Sequence, residues 1–210
     1  MREAMAMKLT KLILLITAVI LFATNSAFAA PSYSVNVDTS SFAGSTGYLY
    51  YQFNPGTDIT PAATATVANL TGTALGFIGS VVDGTYVTGM LPGSVLFANT
   101  GAINDYNHAV TFGNSLAYTL AFTGGQSVGD LQSGSVFSFG LFQDEFGATP
   151  LLDSNGNLYT VNIDLNTNGT TSILALTDKI SVTATPLPAA AWLLTSGLVG
   201  LVGVRRMKRA

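Results

Sequence analysis

One segment of the chain carries oxygen-bearing side chains at the spacing of a calcium-binding loop. Asp164, Asn166 and Asn168 alternate along the chain and precede Gly169, as in the Asp-x-Asn-x-Asn-Gly start of such a loop. The twelfth position of a calcium loop should be a bidentate glutamate, and Ala175 stands there instead. The same composition is typical of ordinary β-turns. The sequence therefore leaves open a calcium site or a structural turn, and it predicts no other metal or cofactor.

Side chains suited to catalysis are sparse. His108 is the only histidine, and a catalytic base would need a nucleophile and an orienting carboxylate beside it. We expect it in a loop or at a strand edge. Asp144 and Glu145 are adjacent, and in a strand such neighbours point to opposite faces, unlike the paired carboxyls of a glycosidase. The absence of cysteine excludes thiolate catalysis, Cys-ligated zinc and disulfides. We therefore expect that the protein is not an enzyme.

Tyrosines form the other group with a possible binding role. Period-two alternation places Tyr48 and Tyr50 on the strand face opposite Leu49, Tyr51 and Phe53. An exposed set of rings would suit stacking on sugars, whereas a packed sheet face would bury the same rings. Both interpretations remain open from the sequence.

The segments that must position these residues read as short β-strands. Apolar or alternating runs are separated by turn residues such as Asn-Pro-Gly, Asp-Gly and Ser-Asn-Gly-Asn, and no capped amphipathic helix interrupts them. The pattern predicts an all-β fold, an antiparallel β-sandwich or jelly-roll-like body. The predicted strands are 34–37, 48–53, 64–70, 75–82, 94–97, 109–112, 116–122, 137–141, 159–165, 172–176 and 180–183.

The start of the chain has the features of an export signal. Lys8 and Lys11 precede a 12-residue apolar run, and Ala27 and Ala29 form an Ala-x-Ala cleavage site after it. Residues 1–29 are therefore predicted to be a signal peptide with a helical apolar core. It would direct the chain to the Sec translocon.

The last residues, 186–210, have the features of a membrane segment. The uncharged stretch 189–204 would form a helix of roughly 24 Å, short against a hydrocarbon core of about 30 Å. By the positive-inside bias, the basic cluster after it should stay in the cytoplasm while the rest of the protein lies across the inner membrane. The cluster consists of Arg205, Arg206, Lys208 and Arg209. A plain C-terminal anchor is one interpretation of this segment.

The residues before the apolar stretch carry a resemblance to a known sorting signal. Thr185, Pro186, Leu187, Pro188 and Ala189, followed by the apolar span and the basic tail, resemble the Val-Pro-Leu-Pro-Ala variety of the PEP-CTERM sorting domain. The sequence departs from it at Thr185, where the family more often has valine. The resemblance implies recognition and tail removal by an exosortase of an exopolysaccharide-producing Gram-negative bacterium. It also implies delivery through the inner membrane to the cell surface or outside the cell.

Between the two terminal segments lies one predicted domain, residues 30–185. It contains Lys179 as its single cation against ten acidic residues, so the formal whole-chain charge of −3 understates its acidity. An acidic domain with a single cation can neutralise almost no phosphates, which excludes nucleic-acid binding. We expect an exported surface or matrix protein with a structural or adhesive role linked to exopolysaccharide and biofilm. The alternative is a carbohydrate-binding module without catalysis.

Overall fold

The computed structural model describes residues 31–56, 59–75, 81–125, 133–152 and 156–185. Apart from one 3₁₀ turn at Ser40–Phe42, the regular structure in these ranges is antiparallel β-strand, which confirms the predicted all-β class. In chain order the strands are β1 Ser32–Asp38, β2 Thr46–Pro55, β3 Ala63–Leu75, β4 Val81–Asp83, β5 Val87–Gly89, β6 Ser94–Ala98, β7 Asp105–Gly124, β8 Ser135–Phe142, β9 Val161–Leu165, β10 Thr171–Ala175 and β11 Ile180–Ala184.

The strands form one continuous antiparallel sheet, which the long strand β7 divides into two parts that we call the first and the second layer. In the first layer the order is β10, β9, β8, β2 and the first half of β7, with β4 beside it. In the second layer the order is β11, β1, the second half of β7, β3, β6 and β5. Strand β3 also passes between the layers, and its pairing with β7 shifts register twice between Ala68 and Thr73.

Alternation along the strands decides which side chains enter the space between the layers. On β2, Leu49, Tyr51 and Phe53 are fully buried, whereas Tyr48 and Tyr50 are half-buried on the opposite face. Successive side chains of a strand point to opposite faces, so this pattern is the expected consequence of one covered face. The predicted separation of the two tyrosine sets is confirmed.

Aromatic rings from both layers meet in the core. Tyr51 on β2 lies 5.4 Å from Tyr118 on β7 and 4.8 Å from Phe139 on β8, measured between ring centroids. Phe53 and Phe122 bring the same two layers together farther along the strands. Burial raises the pKa of Tyr51 and of Tyr118 well above the usual value for a phenol. Rings of this size supply most of the apolar area that a disulfide-free domain must bury.

Two strand predictions need correction, and one strand was not predicted. The predicted strands 109–112 and 116–122 are parts of one strand, β7, because it remains paired on both sides of Gly113. Of the predicted strand 75–82, residue 75 is the last of β3 and residues 81 and 82 begin β4, whereas residues 76–80 lie outside the described part of the chain. Strand β5 was not predicted, because three residues cannot display a period of two.

The two ends of the described chain meet at one end of the molecule. Strands β1 and β11 are antiparallel neighbours, and the Thr185 N–H donates a hydrogen bond to the Ser32 carbonyl oxygen at 2.8 Å. At the opposite end, the Lys179 ammonium lies 3.7 Å from the Asp38 carboxylate. We call the end with Ser32 and Thr185 the terminal end, and the end with Asp38 and Lys179 the far end. No helix in the described ranges is long and apolar enough to cross a membrane.

Candidate functional site

Most of the sequence-predicted processing residues lie outside the described part of the chain. This holds for the cleavage alanines Ala27 and Ala29, and for both predicted helices that flank the body. It also holds for Pro186, Leu187, Pro188 and Ala189 and for the basic tail Arg205, Arg206, Lys208 and Arg209. Thr185 is described, and it is exposed at the terminal end, directly after β11.

The candidate calcium residues form the hairpin that joins β9 to β10. Asp164 is exposed on β9, whereas Asn166 and Asn168 belong to the turn. The Asn168 carboxamide oxygen accepts hydrogen bonds from the Thr170 N–H at 3.0 Å and from the Thr170 hydroxyl at 2.6 Å. The Gly169 N–H donates to the Asn166 carbonyl oxygen. These contacts give Asn168 a role in the turn itself, and a calcium ion would compete for its oxygen.

His108 occupies neither a loop nor a strand edge, which corrects the expectation. It lies within β7, between β2 and the neighbouring strands, and its side chain is 4% exposed. The Tyr106 hydroxyl lies 2.8 Å from its Nδ1 atom, and the Leu91 N–H donates to the same hydroxyl. Burial lowers the pKa of His108, so the ring stays neutral at neutral pH. It is a packed core residue.

Asp144 and Glu145 follow β8 in a tight turn at the far end. The Asp144 carboxylate accepts hydrogen bonds from the N–H groups of Ala148, Phe146 and Thr149, at 3.0, 3.0 and 2.7 Å. These backbone donors, Ala148 first, lower the pKa of Asp144. The turn holds Phe146 with 81% of its surface exposed. We call residues 143–149 the far-end loop.

Protonation of Asp144 should release the far-end loop. Because the folded-state pKa lies below the usual value, the stabilisation is present above the unfolded-state pKa and is lost as the pH falls through the folded-state value. We expect the amide protection factors of Ala148 and Thr149 to fall at pH values below about 4. In Asp144→Asn they should be low at neutral pH and should not depend on this titration. Amides of the 166–170 turn provide the internal control, and equal protection of the far-end loop in both proteins would contradict the prediction.

On the outer face of the first layer, polar and aromatic side chains form a cluster that we call the outer tyrosine cluster. The Tyr50 hydroxyl donates a hydrogen bond to Asp105 Oδ2 at 2.7 Å, and Gln52 Nε2 donates to the same oxygen at 2.9 Å. The Tyr50 ring packs edge-on against Phe142 and lies 6.4 Å from the Tyr159 ring. Asp105 is 8% exposed, whereas Tyr50, Gln52 and Tyr159 are half-buried.

The chemistry of this cluster is that of binding or packing and not of proton transfer. Burial, and then the nearby Asp105 carboxylate, raise the pKa of Tyr159 to about 12 and that of Tyr50 even further. Both phenols therefore stay protonated at neutral pH and act as hydrogen-bond donors and flat apolar surfaces. Sequence reasoning singled out Tyr50 but missed Asp105, because the register of β2 against β7 brings the two together across 55 positions of the chain.

One further motif was missed in the sequence. Gly125-Gln-Ser127-Val-Gly129 has the Gly-x-Ser-x-Gly spacing of a hydrolase nucleophile elbow. Such an elbow joins a strand to a helix in an α/β fold, whereas this segment connects strands β7 and β8 of an antiparallel sheet. Ser127 lies outside the described residues, and the buried His108 is hydrogen-bonded to Tyr106. The motif is therefore assigned no role.

The described ranges contain no group of three or more His, Asp or Glu side chains that could hold a metal ion. Comparison of the chain with models of known protein families, with curated proteins and with solved structures found no match in any of the three. What can be said about function therefore rests on the residues and on the geometry of the two-layer body.

Proposed function

We propose that this chain is an exported protein of the bacterial cell surface or extracellular matrix, sorted by an exosortase, with a structural or adhesive role linked to exopolysaccharide. The Sec translocon would export it, and its C-terminal segment would hold it in the inner membrane until the tail is removed. The sandwich-like body would then be the part that reaches the surface. Nothing in this role requires catalysis.

The observation that carries the proposal is the meeting of the chain ends. Ser32 and Thr185 are hydrogen-bonded neighbours, so the segments that precede and follow the body leave it at the same place. Neighbouring exits allow both predicted membrane segments to reach one membrane as long as the signal peptide is uncleaved. The predicted sorting motif begins at the exposed Thr185, whose N–H makes the last hydrogen bond between β11 and β1.

The far-end loop supports the adhesive part of the proposal. The Asn99 carboxamide accepts a hydrogen bond from the Ala63 N–H at the terminal end and donates one to the Ser135 hydroxyl, where β8 starts. Strand β8 therefore begins at the terminal end and runs toward the far end. The loop that carries Phe146 therefore starts at the end away from the two exits, and the Asn107 side-chain amide on β7 donates a hydrogen bond to its Glu145 carbonyl oxygen. The Asp144 carboxylate holds its loop in one conformation, which reduces the entropy lost when an exposed ring binds a partner.

The intact mass of the protein from its native host tests the sorting proposal. Protein from the surface and the medium should end near residues 185–188, and the uncleaved chain should accumulate in the membrane fraction when the exosortase is deleted. Replacement of Pro186 and Pro188 by alanine should cause the same accumulation with the exosortase present. A mass that runs through Ala210 in every fraction would refute the sorting proposal and indicate a tethered domain.

A separate comparison tests the adhesive role. Cells that display Phe146→Ala should lose flocculation or biofilm mass, because the exposed ring at the far end is removed. Ile59→Ala is the matched control, since Ile59 is 76% exposed and precedes Thr60, whose hydroxyl contacts Ser133 at the terminal end. Unchanged flocculation, biofilm and surface properties in a strain without the protein would count against the adhesive role.

A carbohydrate-binding module without catalysis is the second candidate, and the outer tyrosine cluster favours it. Half-buried tyrosine rings beside a hydrogen-bonded carboxylate and carboxamide are suited to sugar hydroxyls and ring faces. Titration with the host's own polysaccharide should then give saturable binding that Tyr159→Ala weakens. Tyr86→Ala, which removes a tyrosine that is 47% exposed elsewhere, is the control. Flat titrations of the unmodified protein would remove this candidate.

A further inference from the structure

Strand β10 is an open edge of the first layer. It pairs with β9 on one side, and no strand in the described ranges pairs with its other side. Its sequence from Thr171 to Thr177 contains no charged residue, proline or glycine. Charges, prolines and bulges are the features that usually prevent an edge strand from pairing with another chain. This edge lacks them.

The hydrogen bonds of the hairpin show which backbone groups of β10 point outward. The Asn166 N–H donates to the Thr170 carbonyl oxygen, and the Leu176 N–H donates to the Thr160 carbonyl oxygen. In an antiparallel ladder hydrogen-bonded pairs recur at every second residue, so the even-numbered residues of β10 bond to β9. The N–H and C=O groups of Thr171, Ile173 and Ala175 therefore point away from the sheet.

Two large apolar side chains on this edge are exposed, whereas the Thr171 hydroxyl contacts the Tyr33 hydroxyl of β1. Ile173 lies opposite the fully buried Ile163 and points to the core side, yet it is 43% exposed, and Leu174 on the other face is 56% exposed. Strand β11, the neighbouring edge of the second layer, differs in this respect because its Ile180 is buried and its Val182 packs against the core. The core is thus less completely covered at β10 than at β11.

The remaining described edges are poorly suited to strand addition. Strands β4 and β5 have only three residues each, and β5 ends at Gly89 with a φ of +93°. A strand of this length offers few backbone groups for pairing. Strand β10 therefore combines length, lack of charge and exposed apolar side chains in a way that these edges do not.

We propose that β10 pairs with β10 of a second copy of this chain, in antiparallel register centred on Ile173. The two-fold axis places Ile173 opposite its own copy and Thr171 opposite Ala175. These three residues are the ones whose backbone groups point outward, so every such group gains a partner. The two first layers become one continuous sheet, and the new strand covers Ile173.

The charge distribution leaves β10 as a surface on which two copies can meet with little repulsion. The domain contains ten acidic residues and one lysine, so two copies repel each other over most of their surfaces. An approach through β10 brings no charge of that strand into contact, and salt screens the remaining repulsion. Association should therefore become stronger as the salt concentration rises. This inference concerns how the bodies associate, and it does not depend on the sorting proposal.

Single cysteines test the register, because the natural chain contains none. In the proposed register the Cα atoms of Ile173 and its copy are about 5.5 Å apart with side chains on one face, within the range of a disulfide. Exported full-length protein carrying Ile173→Cys should form a covalent dimer under mild oxidation. Leu174→Cys should not, because residue 174 and its copy are about 8 Å apart by strand geometry.

Val82→Cys controls for random collisions, since Val82 is 44% exposed on the short strand β4 at the other side of the layer. Dimers from Val82→Cys at the same rate as from Ile173→Cys would overturn the proposal. So would dimers from Val182→Cys in place of Ile173→Cys, because they would indicate that β11 is the pairing edge.

Light scattering on the protein without cysteine tests association by a separate route. The mass should shift from monomer to dimer as the protein concentration rises. Ile173→Lys should raise the concentration at which half of the chains are dimeric at least tenfold, because an inward-pointing charge blocks edge pairing. Val82→Lys should leave the equilibrium unchanged. A monomer at all concentrations and salt levels, or an Ile173→Lys protein that still forms the dimer, would overturn the proposal.

Discussion

Replacing Phe139 with alanine should lower the free energy of unfolding by about 3 to 5 kcal/mol, the range for truncation of a buried phenylalanine. For a domain of this size the corresponding fall in the midpoint of thermal unfolding is roughly 10 °C. We expect this to be the largest effect of any single truncation in the core. The total free energy of unfolding of many domains is only about 5 to 15 kcal/mol, so this loss would leave a larger share of the molecules unfolded.

The position of Phe139 explains the size of this effect. The side chain is fully buried on β8, and its ring lies 4.8 Å from that of Tyr51 and 5.0 Å from that of Tyr118. It therefore contacts one ring from its own layer and one ring from the other layer. Alanine would leave a cavity lined by rings whose backbones are fixed in the sheets, so the walls could close only partly.

Urea denaturation monitored by circular dichroism measures this change, with the slope of the transition checked for two-state behaviour. Phe146→Ala is the matched control, because it makes the same truncation at a ring that is 81% exposed. It should change the free energy of unfolding by less than about 0.5 kcal/mol. Equal effects of the two substitutions would mean that the ring cluster does not hold the layers together.

Replacing Gly72 with alanine should lower the free energy of unfolding by about 2 to 4 kcal/mol, from backbone strain together with a steric clash. Gly72 lies where β3 passes from one layer to the other. Its φ is +84°, a backbone angle that residues with a side chain rarely adopt. A Cβ atom at this position would lie 1.9 Å from the Ser115 carbonyl oxygen and 2.9 Å from the Leu116 Cα atom. Both neighbours are backbone atoms of β7, so neither can rotate away.

Gly44→Ala separates the strain from the clash. Gly44 has nearly the same φ, +82°, but a Cβ atom added there would meet no other atom within 4 Å, so alanine adds only the strain of about 1 kcal/mol. The difference between the two variants in urea denaturation is the contribution of the close approach of β3 and β7. If Gly44→Ala destabilises the protein as much as Gly72→Ala, the approach of the two strands contributes nothing.

Local sequence pattern was sufficient for the fold class and for the direction of many side chains. The burial of Leu49, Tyr51 and Phe53 and the outward position of Tyr50 follow from a period of two, which is a property of the extended backbone itself. The absence of cysteine was also enough to exclude disulfides, and the sparse cations of the body predict that it does not bind nucleic acid.

Pairing between distant segments decided what local pattern could not. The stretch around Gly113 and Asn114 is typical of a turn, yet β7 continues through it because β1, β2 and β3 pair with it on both sides. His108 is buried for the same reason, since its strand is paired on both sides by segments remote in sequence. No local signal distinguishes a central strand from an edge strand.

The sequence by itself determined an acidic, cysteine-free all-β body, because composition and period act over a few neighbouring residues. Only the tertiary structure decided that Asp105 meets Tyr50, that Ser32 meets Thr185 and that β10 is left with an open edge. These features depend on which strand lies beside which. Strand order is set by the burial of whole faces and the satisfaction of backbone hydrogen bonds across the complete sheet.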